Sequence, residues 1–438
     1  MPGRASLLAA AVLLGVVLAL SLTGPMTVDG GARSGGASAS VSQAAPGVSH
    51  VVLAWGESGM HWYNRDYEHI AILPPGNTLL AQVIQVGDPP RVVTAGLTVT
   101  YEVLSNTFSA GKTNFWDYEQ DLYGVDLPPD VGLAGYGLSG TMAVDTGLFT
   151  ARLVPVTEYL DADYAANPTE TVPTPYQLVR ITVHRGAAGE HLAQATIVAP
   201  VSSEVRCDYC HEDDGIGNEE IATGNVHLNI LAAHDRDYLS DYPAGFEAPL
   251  VDSTPVRCSR CHNSNALPYP PVDEEIPCLS RAMHAHHDFD IDPTLDGCYS
   301  CHPGDETRGL RGVMLDRHDV DCIDCHGTTM DVAAKEDHWL IQPRCDDAAC
   351  HPVHGYPADL LYREATDHFG IRCPACHDSP HVEAPSREAN DRTKFIALQG
   401  RASALRECTV CHASDPEGAG PHGLLGLSEL LYLPLVFR

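Results

Sequence analysis

The stretch DVDCIDCHGTTM, residues 319–330, sets two cysteines two residues apart with a histidine directly after the second. Half of a zinc site, a redox dithiol and a covalently attached haem all use cysteines in this way. One copy does not separate them, but the motif recurs. The triplet appears as Cys207, Cys210 and His211; Cys258, Cys261 and His262; Cys298, Cys301 and His302; Cys322, Cys325 and His326; Cys373, Cys376 and His377; and Cys408, Cys411 and His412. A seventh copy, Cys345, Cys350 and His351, has four intervening residues. First cysteines of successive motifs stand 23 to 51 residues apart.

The chemistry of attachment explains the spacing. Two thiols that add across the vinyl groups of one porphyrin must be presented along one edge, and a single turn of chain does this. The next residue then lies beneath the ring, where its imidazole ligates iron. Zinc ribbons pair two CxxC units and need no histidine after each. A thioredoxin-like dithiol is one motif beside a βαβ unit, and none is legible here. The reading is therefore seven covalently bound haem c groups. The fourteen motif cysteines form the thioethers, and the seven motif histidines are the proximal ligands. Cys278 is left over, read as a buried or free thiol with an intermolecular disulfide as the alternative.

Each iron has a second axial position. Of 23 histidines, eleven lie outside the motifs in or beside this region: His227, His234, His284, His286, His287, His318, His338, His354, His368, His381 and His422. The candidate distal ligands are His234, His284, His287, His318, His368, His381 and His422. Residues 205–422 offer roughly 30 residues per haem, too few to wrap each in its own packed domain. The haems must then form much of their own core and lie against one another, bound by short helices and loops.

The segments CHDSPHVEAP (376–385), LQGRASALRECTVCH (398–412), GPHG (420–423) and 298–330 resemble extracellular multihaem c-type cytochromes. The CX4CH motif resembles a variant found among small multihaem cytochromes. In that family a histidine commonly follows LQG, where this chain has Arg401. The departure draws attention to the C-terminal haems as a place for an open iron.

Before Cys207 the texture differs. LTVTYEVL (97–104), YQLVRITVHR (176–185) and HLAQATIVAPV (191–201) carry β-branched and aromatic residues between turn signals. HRGAAGEH (184–191) reads as a hairpin connection. These segments predict an antiparallel β-sandwich over residues 49–204, containing no cysteine. GKTNFWDYEQDLYG (111–124) reads as core packing and strand cover, with a binding surface as the sharper option. ILPPGNTLLAQVI (72–84) and SAGKTNFWDY (109–118) resemble an uncharacterised secreted module found ahead of multihaem cytochromes, which brings no activity with it.

The expected organisation is thus multidomain. A signal peptide and flexible linker (1–48) precede the sandwich (49–204), the loop- and short-helix-rich heptahaem cytochrome c domain (205–422) and an apolar C-terminal tail (423–438). Arg4 ahead of the apolar run Leu7 to Leu22 matches an export signal, with membrane contact only if that segment is retained. The expected location is extracellular or cell-surface, with a periplasm-like space as the alternative. With 58 acidic against 26 basic side chains, the net charge of −32 disfavours nucleic acid as a partner.

The function expected is electron transfer to or from other redox proteins and extracellular acceptors or donors, with self-assembly into a polymer left open. The alternative is a multihaem oxidoreductase acting on nitrogen or sulfur oxyanions at one open-site haem. No CxxCK motif occurs, and an acidic surface attracts anions poorly. The reading therefore favours a carrier without catalytic residues over an enzyme.

Overall fold

The computed structural model describes residues 48–423, apart from 170, 188, 219, 265, 268, 270–274, 289–290, 336–342, 352–355, 358 and 419. The signal and linker segment up to residue 47, and the apolar tail beyond Gly423, lie outside the described residues. Those described all belong to one compact unit.

The first part of the chain forms strands β1 (His50–Gly56), β2 (His61–Trp62), β3 (Ile70–Ala71), β4 (Leu79–Gln85), β5 (Arg91–Val92) and β6 (Leu97–Val103). After α1 (Phe115–Tyr123) come β7 (Ser139–Thr141), β8 (Ala143–Asp145) and β9 (Leu148–Ala151). A short α2 (Asp161–Ala166) precedes β10 (Tyr176–Arg185) and β11 (His191–Ser202). One sheet runs β1-β4-β9-β8, with β5 on β4; the other runs β2-β11-β10-β6-β7. Pairing is antiparallel except that β2 joins β11 in parallel. His184 pairs with His191 across the connection expected to be a hairpin.

The two sheets share a core. Val52, Ala54, Leu79, Ala81, Val83 and Phe149 from the first meet Val99, Tyr101, Val179, Ile181, Val183 and Ile197 from the second. Burial alternates along β10, as expected for a strand with one face on a core. In β1 and β4 it does not alternate: HVVLAWG is buried throughout, and LLAQVIQ is buried up to its last residue. A strand covered on both faces needs an unbroken apolar run. The outer face of this sheet, with Val51, Leu53, Trp55, Leu80 and Ile84, packs against Ile371, Ala375 and Cys411. The sheet is a middle layer, and the cysteine-rich chain covers it.

That later chain contains α3 (Asp208–His211), α4 (Val226–Tyr238), β12 (Val256–Arg257), α5 (Leu279–His286), α6 (Leu295–Tyr299) and α7 (Val313–His318). It continues through α8 (Cys322–His326), α9 (Thr329–Ala333), α10 (Cys373–His377) and α11 (Ala389–Gln399). The antiparallel and mixed sheets followed by short helices give a multidomain-like architecture. One difference from expectation is α1, which interrupts the strand texture. Its Phe115, Leu122 and Tyr123 pack with Tyr67 and, from the later chain, Leu267.

Polar anchors tie the parts together. β12 adds in parallel to β3 just before Cys258, pairing Val256 with Ile70. The Glu204 carboxylate accepts backbone N–H groups from Asp305 at 2.8 Å and Thr307 at 2.8 Å. Gln82, buried in β4, donates to Gly370 O at 3.1 Å and accepts from Arg372 N at 2.8 Å, fixing the residue before Cys373. Lys394 on α11 bonds Ala54 O at 3.1 Å and Asp378 at 2.8 Å. The Arg311 guanidinium, fully buried, forks onto Asp391 at 2.7 and 3.2 Å and reaches Gly59 O at 2.6 Å. Such pairs hold only when every partner is present, because a buried charge left alone is costly.

Candidate functional site

Each CxxCH motif is built as a turn whose histidine N–H returns to the first cysteine. His211 donates to Cys207 O at 2.9 Å, His262 to Cys258 O at 3.0 Å, His302 to Cys298 O at 2.9 Å and His412 to Cys408 O at 2.9 Å. The remaining two are the short helices α8 and α10. Asp321 caps α8 through a reciprocal box with Asp324, and Pro374 presets the first turn of α10. The wider motif turns differently, with Cys350 N donating to Asp347 O at 2.9 Å. No disulfide joins any of the fifteen cysteines.

The histidines then come together in twos. Ring centroids lie 6.2 Å apart for His211 and His287, 6.2 Å for His262 and His234, and 6.0 Å for His302 and His284. They lie 6.1 Å apart for His326 and His381, 5.9 Å for His377 and His422, and 5.7 Å for His412 and His368. Every one of these six pairs joins a motif histidine to a histidine from elsewhere in the chain. Two imidazoles bound trans to one metal, with bonds of about 2 Å, would hold their centroids about 6 Å apart. His412 Nε2 and His368 Nε2 approach to 3.5 Å. Among the described residues no three His, Cys, Asp or Glu side chains converge as a protein-made metal cage would require. Donors in opposed pairs beside two thiols suit a porphyrin, which brings its own four equatorial nitrogens. The residues present therefore fit haem.

The backbone is bent to make some of these approaches. His381 and His422 hold left-handed conformations, with φ of 71° and 61°. Such backbone is uncommon outside glycine and concentrates at functional positions. Gly217 serves close approach: a Cβ there would come within 2.8 Å of the His211 ring.

The candidate distal residues are therefore placed as follows. His234, His284, His287, His368, His381 and His422 each face a motif imidazole. His318, at the end of α7, is exposed and faces no motif ring among the described residues. His351 is in none of the six pairs, and His338 and His354 lie outside the described residues. Both C-terminal motif histidines, His377 and His412, face another histidine although Arg401 stands after LQG; Arg401 instead reaches Glu407 at 3.5 Å.

The motifs also neighbour one another in order. Burial raises the Cys258 thiol to about 12, and Cys207 adds to the shift; burial and then Cys301 raise Cys207, also to about 12. The Cys298 and Cys322 thiols hydrogen-bond each other, lowering the first and raising the second. Burial, Glu383 and Cys350 raise Cys325; burial, Glu383 and Cys373 raise Cys345. Burial and then Cys411 raise Cys376 to about 12. Thiols near enough to shift one another link the Cys258 motif to that of Cys207 and onward through those of Cys298, Cys322, Cys345 and Cys373 to that of Cys408. Sequence order alone would have put the first two the other way round.

Comparison with protein-family models and with curated proteins found no match to this chain.

Proposed function

We propose that this chain is an exported seven-haem c-type cytochrome that carries electrons along a row of closely spaced haems. In this reading the two sheets are a β-sandwich, and the later chain is a loop- and short-helix-rich multihaem cytochrome c region. The single observation that carries it is the set of six opposed imidazole pairs, each with one member in a CxxCH turn. When bound, the haem irons supply reversible one-electron chemistry. The chain's own residues do the rest. Paired histidines would hold the irons from both sides, and neighbouring motifs would set successive sites close together. The partners are other redox proteins or extracellular acceptors and donors.

The test is a haem count on protein produced with the maturation machinery for c-type haem. Seven covalent haems per chain by pyridine haemochrome support the reading. Zinc at the motifs without haem would end it.

A further inference from the structure

An imidazole that binds metal through one ring nitrogen offers the other to a partner. A carboxylate there makes the ligand more basic than a carbonyl does. The described imidazoles divide on this point. His262 Nδ1 meets Pro277 O at 3.0 Å, His284 Nδ1 meets Ser280 O at 2.7 Å, and His287 Nδ1 meets Met283 O at 2.8 Å. His234 Nδ1 meets the Tyr242 hydroxyl at 2.8 Å. These oxygens are neutral, although the Tyr242 hydroxyl donates in turn to Asp235 Oδ1 at 2.7 Å. At the C-terminal end they are not: His412 Nδ1 lies 3.1 Å from Asp88 Oδ1, and His422 Nδ1 lies 3.1 Å from Asp367 Oδ2.

Asp88 belongs to the loop after β4, so the strand region contributes directly to the Cys408 motif. Gly87 N donates to Cys411 O at 3.3 Å, holding the loop there. Ser414 Oγ donates to Asp88 Oδ2 at 2.7 Å.

Resting on the electron-transfer reading above, we infer that Asp88 and Asp367 make the His412–His368 and His377–His422 sites the lowest-potential pair of the chain. Negative charge passed through the ligand favours ferric over ferrous iron, so these two sites are reduced last. Asp88 acts more strongly than Asp367, because the His412 side chain is 8% exposed and that of His422 is 27% exposed. Water screens the second pair more. Both aspartates are positioning residues, and the strand region serves as a tuner of the terminal site.

The experiment is a spectroelectrochemical titration, with EPR detection, of the full-length haem-loaded chain. Asp88→Asn keeps the shape and removes the charge. The lowest midpoint should rise by about 59 mV, a tenfold change in the ferrous-to-ferric ratio for one electron. One low-spin EPR signal should move with it, the higher midpoints should stay, and Asp88→Glu should restore the original value. Asp367→Asn should raise the second-lowest midpoint by less. An Asp88→Asn protein with seven low-spin haems and unmoved low midpoints overturns the inference alone, as does a shift confined to the highest midpoints. Protein without covalent haem overturns it together with the function beneath it, and the haemochrome count tells these cases apart.

Discussion

The imidazole of His326 faces that of His381 with ring centroids 6.1 Å apart, although one ends the helix α8 and the other lies in the loop beyond α10. In the haem-loaded protein, His381→Ala should leave one iron with a single strong axial ligand. The expected result is one high-spin haem and one new carbon monoxide site in the reduced state, with the haem count unchanged because the thioethers and His326 remain. Visible and EPR spectra check this.

The wider motif is a separate test. Cys345 and Cys350 form no disulfide, and their motif sits between those of Cys322 and Cys373 in the row of neighbouring thiols. Intact mass of the mature chain should show seven haem additions. A Cys350→Ser variant should lose covalent attachment at one thioether while the other six sites remain loaded.

The CxxCH turns were legible in the sequence, because two cysteines and a histidine at fixed spacing, as in Cys322, Cys325 and His326, are recognisable without a fold. The supply of second histidines was countable, but the partner of each was not. His381 faces His326 from a left-handed backbone, and His368 faces His412 from a loop held by the buried Gln82. His318 shows the limit: its position just before a motif carries no information about where its ring points. In the strand region, β10 announced itself by alternation. The unbroken run in β1 was the signal for a second covering layer, whose identity depends on contacts with Ile371 and Ala375 far along the chain.

That covering layer bears on how the strand region behaves alone. The core between the two sheets is complete within residues 50–204, so this fragment should fold, with β-type circular dichroism and a cooperative thermal transition. It should also bind a hydrophobic dye, because Leu53, Trp55 and Leu80 lose their cover. A disordered spectrum would show that the later chain is needed to form the sheets.

The Arg311–Asp391 pair predicts a large, one-sided cost. Both side chains are almost fully buried. Asp391→Ala leaves a buried cation and should destabilise the protein by about 3–5 kcal/mol, whereas the double change Arg311→Met with Asp391→Leu should cost much less. Denaturant unfolding of the two variants measures the difference.

Glu158 gives a pH dependence with a definite sign. Burial raises its carboxyl above the ordinary range, against the Ser203 hydrogen bonds that lower it. The folded state therefore holds this proton more tightly than the unfolded one, and stability falls as pH rises from about 4.3, the ordinary Glu value, through the raised one. Glu158→Gln should remove that fall. The variant should gain on the parent protein as pH rises to neutrality, measured by thermal midpoints across the range.

If paired histidines close both axial positions of the haem irons, spin quantitation by EPR of the fully oxidised, unmutated, haem-loaded protein should give low-spin ferric haem throughout, with no high-spin signal at the level of one iron per chain. A stoichiometric high-spin signal, accompanied by turnover of nitrite or hydroxylamine, would contradict it and make the protein an enzyme with an open iron.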